Sequence, residues 1–389
     1  MGIIIGLLAM RAIHFLVWAP YSTRAEGLTQ PLGAILHLLS YKTKIKVYAP
    51  IKYPFLFCRT LSLLASKKPN NCVIICQSPP IFCPLTAILY ALINKSKNIR
   101  VVIDAHTATF EKPWTFPILN ALTKWTIRNV WAIIVTNTKL QKVVYHKYGV
   151  LPTVLEDSPL LAGERLDYRR SNRRTSNSNE EHRHYQREQS PVQYTRSISR
   201  QLGSTHESSG ENFAIAIVSS FASDEPIQEI IEAARILSET TTFYITGDYS
   251  RISAKKLLKW KRATKNIVFT GFLDRGEYIR LLEKVDAIMV LTRRDFTMLS
   301  GAHEALALEK PLITSDWQPL RQYFVAGTSY VNNSVSEIVD AVKYVQKEKD
   351  RMEKDMEILK HQRLKEWEDK VSKLKECFSS RADRGRTFS

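Results

Sequence analysis

Acidic residues are scarce at the start of this chain. Residues 1–157 carry 5 Asp and Glu against 18 Lys and Arg, which accounts for most of the net charge of +18 over 389 residues. Residues 158–211 carry 9 basic against 7 acidic side chains, so the excess belongs to the N-terminal half. Such a balance points to an anionic partner, whether a membrane surface, a phosphate-linked substrate or nucleic acid, and is weighed against a plain solvated basic surface. Cysteine is also sparse: Cys58, Cys72, Cys76, Cys83 and Cys377 are odd in number and form no CxxC pair. That excludes zinc-type spacing and a disulfide framework, and fits a reducing cytoplasm. No long uninterrupted apolar run is present. The one beginning at Met1 is broken by Arg11 and His14 and has no basic stretch before it, so neither a bilayer span nor a signal peptide is expected. Residues 1–10 read as an extension ahead of the first strand or as the product of an early start codon. No Asp-x-Asp pair ends a strand-like run, so no metal is expected.

What is present alternates regularly. Short β-branched runs at Ile13–Trp18, Lys44–Tyr48, Cys72–Cys76, Arg100–Ile103 and Ala132–Val135 read as strands. Between them, Thr29–Leu39, Pro54–Ser66, Pro84–Ile93 and Pro117–Arg128 read as helices. The order predicts a parallel, doubly wound sheet. Residues 158–211 lose apolar periodicity and are rich in Arg, Ser, Asn, Glu and Gln, which reads as a disordered polar insertion. The α/β alternation resumes from Phe213 and ends in helices over Ser336–Gln346 and, as a charged tail, Lys347–Cys377.

The most informative stretch runs from Thr297 to Thr314. It follows the apolar strand Ala287–Leu291 and the loop Thr292-Arg293-Arg294-Asp295. Ser300-Gly301 opens an apolar helix that carries Glu304 in its expected first turn, and Pro311 leads into another strand. Backbone N–H groups at Ser300, Gly301 and Ala302 would face an anion at the strand's carboxyl end. Arg293 and Arg294 would offset phosphate charge, and Glu304 would accept from sugar hydroxyls. Together they suggest a site for a nucleoside diphosphate carrying a sugar. A helix-dipole carboxylate is the plain alternative for Glu304.

Glu304-Ala305-Leu306-Ala307 with Pro311 resembles the second half of the C-terminal signature of GT-B glycosyltransferases of the glycosyltransferase-4-like type. The signature's first acid is replaced by Phe296, and Asp295 stands one residue out of register. The resemblance implies an α/β, GT-B architecture: two Rossmann-like doubly wound domains facing a cleft, with the disordered insertion between them. Residues 1–157 would be the acceptor side, 212–346 the nucleotide-sugar domain and 347–389 a charged helical tail that packs back toward the first domain. It further implies that Gly247, Phe272 and Leu273 line the donor nucleotide. Tyr21, Ser22 and Arg24 would then sit in the acceptor-side loop, where Ser22 and Thr23 also suit a helix N-cap. Asp104-Ala105-His106 resembles the Asp-x-His run at the matching strand end, making Asp104 and His106 the candidate acid/base groups.

The loop Ser219-Ser220-Phe221-Ala222-Ser223-Asp224-Glu225 lacks the family's usual Gly-Arg and Lys and is similar to the dolichol-linked β-mannosyltransferase branch. The implied activity is hexosyl transfer from a nucleotide sugar to a glycan or lipid-linked acceptor, in polysaccharide, glycolipid or glycoconjugate synthesis, without a cofactor or metal. An anionic membrane surface is a candidate partner, through the helix over Phe55–Ala65 and Lys67-Lys68, and the protein would be cytoplasmic or peripheral on the membrane. Nucleic acid is the less favoured partner. Two other readings are a GT-B-fold sugar-nucleotide epimerase and a non-catalytic basic binding protein on a degenerate transferase fold.

Overall fold

The structure, a computed structural model, describes residues 12–41, 49–110, 117–161 and 212–380. The strand expected over 44–48, the N-terminal extension and residues 162–211 of the expected insertion lie outside the described residues. The chain divides into two compact units. One comprises the chain up to Ala162 with Phe296–Met298 and the residues from His361 on; the other comprises Gly163–Asp295 and Leu299–Lys360.

The first unit is built on six strands: β1 (Ala12–Val17), β2 (Ala34–Leu38), β3 (Cys72–Ser78), β4 (Arg100–Ala105), β5 (Ala132–Val135) and β6 (Thr153–Val154). They pair in the order β2-β1-β3-β4-β5-β6, and every pairing is parallel. The helices are α1 (Thr23–Leu32), α2 (Ala49–Lys67), α3 (Phe82–Ile93), α4 (Pro117–Asn129) and α5 (Thr138–Tyr148). Side chains alternate along each strand, so the sheet has two cores. Leu16, Ile74, Cys76 and Ile103 pack with α2 to α5. Phe15, Val17, Ile75 and Val102 pack with Ala25, Leu28 and Leu32 of α1 and with Trp367, Val371, Leu374 and Phe378 near the end of the chain. Burying a side chain of that size is worth about 1.5–3 kcal/mol. Polar contacts fix the terminal helix: Trp367 Nε1 donates to the Glu156 carbonyl (3.1 Å), and Lys370 Nζ pairs with Glu156 (2.7 Å).

The second unit has the order β12-β11-β10-β7-β8-β9, again all parallel. Its strands are β7 (Phe213–Ile217), β8 (Thr241–Thr246), β9 (Ile267–Gly271), β10 (Ala287–Val290), β11 (Leu312–Ser315) and β12 (Thr328–Val331). Its helices are α6 (Ile227–Ile236), α7 (Ala254–Ala263), α8 (Arg275–Lys284), α9 (Ser300–Ala307), α10 (Gln318–Tyr323) and the start of α11 (Val335–Ser379). The α/β reading and two doubly wound Rossmann-like sheets hold.

Two expectations need correction. The helix over Thr29–Leu39 is two elements, because Gly33 (φ +65) caps α1 through its N–H to the Gln30 and Thr29 carbonyls. The apolar run beyond it, whose spacing mimics a helix, pairs with β1 instead. The helices over Ser336–Gln346 and Lys347–Cys377 are one continuous element, since no Gly or Pro interrupts Val335–Ser379. The short helix α10 was not anticipated.

One polar pair lies within the first sheet. His14 on β1 and His37 on β2 stack at 5.3 Å, with His14 Nδ1 and His37 Nε2 3.0 Å apart. Burial first, then His14 and Lys67, hold His37 down at about 4, and burial and Lys67 lower His14. Each native imidazole therefore binds fewer protons than the unfolded one. Stability from the pair is complete above the unfolded value near 6.5 and falls as pH drops toward 4. The melting temperature should fall over that window by an amount equivalent to about 1–2 kcal/mol, and His37→Asn should flatten the slope.

Candidate active site

In the first unit the strand order reverses between β1 and β3, the place where open α/β sheets bind ligands. The loop after β1 enters α1 with Ser22 as N-cap, its hydroxyl accepting from the Ala25 N–H (3.2 Å). Tyr21 is exposed, and its hydroxyl accepts from Thr23 Oγ1 (2.9 Å). Arg24 is buried, at 5% exposure, so the structure places it away from the open loop. Its Nε donates to both Asp104 oxygens (2.9 and 3.0 Å), one terminal nitrogen donates to Asp157 (2.6 Å) and the other to the Leu155 carbonyl (2.8 Å). Burial opposes the guanidinium charge, yet Asp104 and Asp157 raise its pKa above the ordinary value. Asp104 is itself fully buried beneath that fork.

His106 stands differently. Its side chain keeps 35% exposure, and Nε2 lies 3.9 Å from Asp104. Its main-chain N–H donates to the Ser78 carbonyl (2.9 Å), which holds the residue at the end of β4. Gln77 Nε2 lies 2.9 Å from His106 Nε2. With the amide donating, Nε2 accepts and the ring proton sits on Nδ1. Burial lowers the imidazole pKa, with Asp104 opposing and Arg24 reinforcing the shift, so the ring is neutral at physiological pH. The turn Ser78-Pro79-Pro80 below it carries two cis peptide bonds.

In the second unit the reversal lies between β7 and β10. The loop after β7 is organised by acids. Glu225 accepts from Ser219 Oγ (2.6 Å) and from the Ser220 N–H and hydroxyl (3.0 and 2.8 Å). Asp224 accepts from Thr292 Oγ1 (2.7 Å), and its carbonyl from the Arg293 N–H (2.7 Å). The arginine side chains pair with acids as well: Arg293 meets Glu229 of α6 at 2.6 Å and Arg294 meets Asp224 at 3.4 Å, at 49% and 40% exposure. Gly247 (φ +107) closes against this loop, where a Cβ would lie 2.1 Å from the Ser219 carbonyl oxygen. Gly271 follows on β9 and leads to Phe272, 83% exposed, and half-buried Leu273.

Helix α9 begins at Ser300, so Glu304 lies one residue beyond its first turn rather than within it. The N–H of Ala302 donates to the Leu299 carbonyl (3.0 Å) and is thus occupied within the helix start. Gly301 is packed so tightly that a Cβ would lie 2.8 Å from Val218 and 2.9 Å from Val290. The glycine lets the helix start sit directly on the ends of β7 and β10. Glu304 accepts a short hydrogen bond from the hydroxyl of Tyr278 on α8. Burial, and then Glu304, push that hydroxyl well above its usual pKa, so it stays a donor. Asp157 and Tyr278 carry no local sequence signal, being 133 and 26 residues from the side chains they hold. Among the described residues no group of three or more His, Cys, Asp or Glu side chains is placed to hold a metal.

Residues 225–368 match a family model described as glycosyl transferase-like. No curated protein matches the chain. Among solved structures it is similar to a glycosyltransferase from Rickettsia africae, at 12% identity and a TM-score of 0.60, covering 96% of this chain and 100% of that one. It is similar to Anabaena HepE in complex with UDP-glucose, at 12% identity and a TM-score of 0.65, covering 94% and 99%. It is similar to S. aureus MnaA in complex with UDP, at 11% identity and a TM-score of 0.56, covering 89% and 91%. At such identities the shared property is the fold, which is GT-B.

The Arg24 cluster makes a direct prediction. Arg24→Met leaves Asp104 buried without its partner and should cost about 3–5 kcal/mol in denaturant unfolding. Asp104→Asn, which removes the opposite charge, should cost a comparable amount. A change below about 1 kcal/mol in both would mean that the ion pair does not hold the unit together.

Proposed function

We propose that this protein is a glycosyltransferase of the hexosyltransferase class, moving a sugar from a nucleoside-diphosphate donor to a glycan or lipid-linked acceptor in polysaccharide, glycolipid or glycoconjugate synthesis. The observation that carries the reading is Glu304, held by Tyr278 within the glycosyltransferase-like stretch. A carboxylate fixed there suits the hydroxyls of a donor. HepE and MnaA were solved with UDP or a UDP-sugar, which makes uridine nucleotides the first donors to test. The likeness of the Ser219–Glu225 loop to the β-mannosyltransferase branch adds mannosyl donors to the panel.

In this reading Arg293 and Arg294 exchange Glu229 and Asp224 for the donor's diphosphate, and their exposure leaves them accessible for it. The N–H groups at the start of α9, of exposed Ser300 and of buried Gly301, add to the stabilisation of the leaving group. The two acceptor-side candidates divide the work. His106 is neutral and partly exposed, and its Nε2 takes the acceptor hydroxyl's proton once that hydroxyl replaces the Gln77 amide as the group donating to it. Asp104 is a positioning group: enclosed by Arg24, it fixes the end of β4 from which His106 projects. The direct test is calorimetry across a panel of nucleoside-diphosphate sugars, followed by release of radiolabelled sugar to water. Absence of binding by every donor would reject the reading. Binding without turnover would favour the non-catalytic alternative.

Two predictions follow from the roles. Glu304→Ala should weaken donor binding by about 1–3 kcal/mol, since it leaves polar partners unpaired. Tyr278→Phe should weaken it by about 1 kcal/mol, and the double variant should be no worse than Glu304→Ala alone, because the tyrosine acts through the carboxylate. Additive losses in calorimetry would separate the two residues. For the acceptor side, His106→Ala should lower kcat by about two to four orders of magnitude with donor affinity unchanged. Full turnover in that variant would remove His106 as the base.

A further inference from the structure

The charge of the first unit is concentrated on one layer. Helices α2, α3, α4 and α5 all cover the same face of its sheet. They contain no Asp or Glu and eight Lys or Arg. The opposite face is covered by α1, where Glu26 offsets Arg24, and by the end of α11, where Glu366, Glu368, Asp369 and Glu376 nearly balance Arg363, Lys365, Lys370, Lys373 and Lys375.

The same four helices show apolar side chains to solvent. Helix α4 is inverted: it buries Thr123, Thr126 and Ile127 and exposes Ile118 (70%) and Trp125 (38%), seven residues apart and so on one stripe. Lys124 and Arg128 are exposed beside that stripe. Helix α2 buries Leu56, Thr60 and Leu64 and exposes Ile51 (58%) and Phe55 (45%). Helix α3 ends on Ile93, exposed at 82%.

We propose that this helix layer, with α4 at its centre, docks on an anionic lipid bilayer. Exposed isoleucines gain from burial among acyl chains, Trp suits the headgroup boundary, and Lys and Arg gain from anionic headgroups. A nucleic acid would use the cations but return nothing for isoleucines. A protein partner would be expected to exclude lysine from the centre of its interface. Among the described residues no helix is long and apolar enough to cross a membrane, so the contact is one of surface. Helix α4 follows β4, whose end bears His106, and Ile118 lies in its first turn. Docking therefore bears on the proposed transferase by placing a lipid-linked acceptor within reach of that end of the sheet, although vesicle binding is independent of turnover.

The test is flotation of the full chain with phosphatidylcholine vesicles, with and without phosphatidylglycerol, at low and raised salt. Binding should be roughly tenfold or more tighter to the anionic vesicles and should weaken with salt, since such attraction acts within about 8 Å at physiological ionic strength. Ile118→Glu with Trp125→Glu should lower it by about tenfold or more at unchanged melting temperature. Ile236→Glu, at a position 58% exposed in the second unit, should change nothing. If the double variant fails to fold, Lys124→Glu with Lys142→Glu should lower binding in its place. No vesicle binding, equal binding to neutral vesicles, or full binding by the folded variants would overturn the proposal. So would a single-stranded oligonucleotide that binds as tightly and is indifferent to Ile118→Glu. Loss of vesicle binding with donor binding intact rejects this surface and spares the transferase reading. Vesicle binding without donor binding does the reverse.

Discussion

A single buried guanidinium holds the first unit's functional end in place. Arg24 enters from α1, takes Asp104 at the end of β4 with a two-oxygen contact, and reaches Asp157 and the Leu155 carbonyl beyond β6. Three segments far apart in sequence are thereby fixed to one another. Removing two charges from water is costly, and the arrangement persists because each nitrogen of the fork finds an oxygen. The consequence is a division of labour at β4. Asp104 is spent on structure, and the neighbouring His106, two residues on, is left as the partly exposed group whose protonation state burial has set.

The second unit solves the same problem with small residues and hydroxyls rather than one buried cation. Glu225 ties down the two serines after β7, Thr292 ties β10 to Asp224, and Gly247 and Gly301 allow backbone approaches that any Cβ would block. The result brings Tyr278 and Glu304 together at the end of the sheet where the strand order reverses. The arginines there are about half exposed, and ion pairs on such side chains are weak and easily exchanged. A rigid frame with exchangeable charges suits binding of a diphosphate.

Charge follows the layers of the first unit rather than its chain order. Both faces of its sheet are covered by helices, yet one layer is free of acids and shows isoleucine to water while in the other, α1 and the end of the terminal helix, acids and bases nearly balance. Hydrophobic burial explains the inward sides of α2 and α4. It does not explain Ile118 and Trp125 pointing outward while two threonines point in, and that inversion is what gives the layer its chemical character.

The alternation of β-branched runs and helices, the acid-poor N-terminal half and the Glu304–Pro311 run were legible in the residues alone, because each depends on local periodicity or composition. Element boundaries were legible where a Pro or a strand-end Gly marked them, and were lost at Gly33, where a cap split an apolar run whose spacing imitated a helix. Fold class, the strand end that bears His106 and the helix that bears Glu304 could be argued from spacing and resemblance. The partners of those groups could not. Asp157 lies 133 residues from Arg24, and Tyr278 lies 26 from Glu304 on another helix. Which carboxylate is buried under a cation and which imidazole stays open is set by burial and by contacts between distant segments. So is the choice of which side of α4 faces water, and only the tertiary structure brings those determinants together.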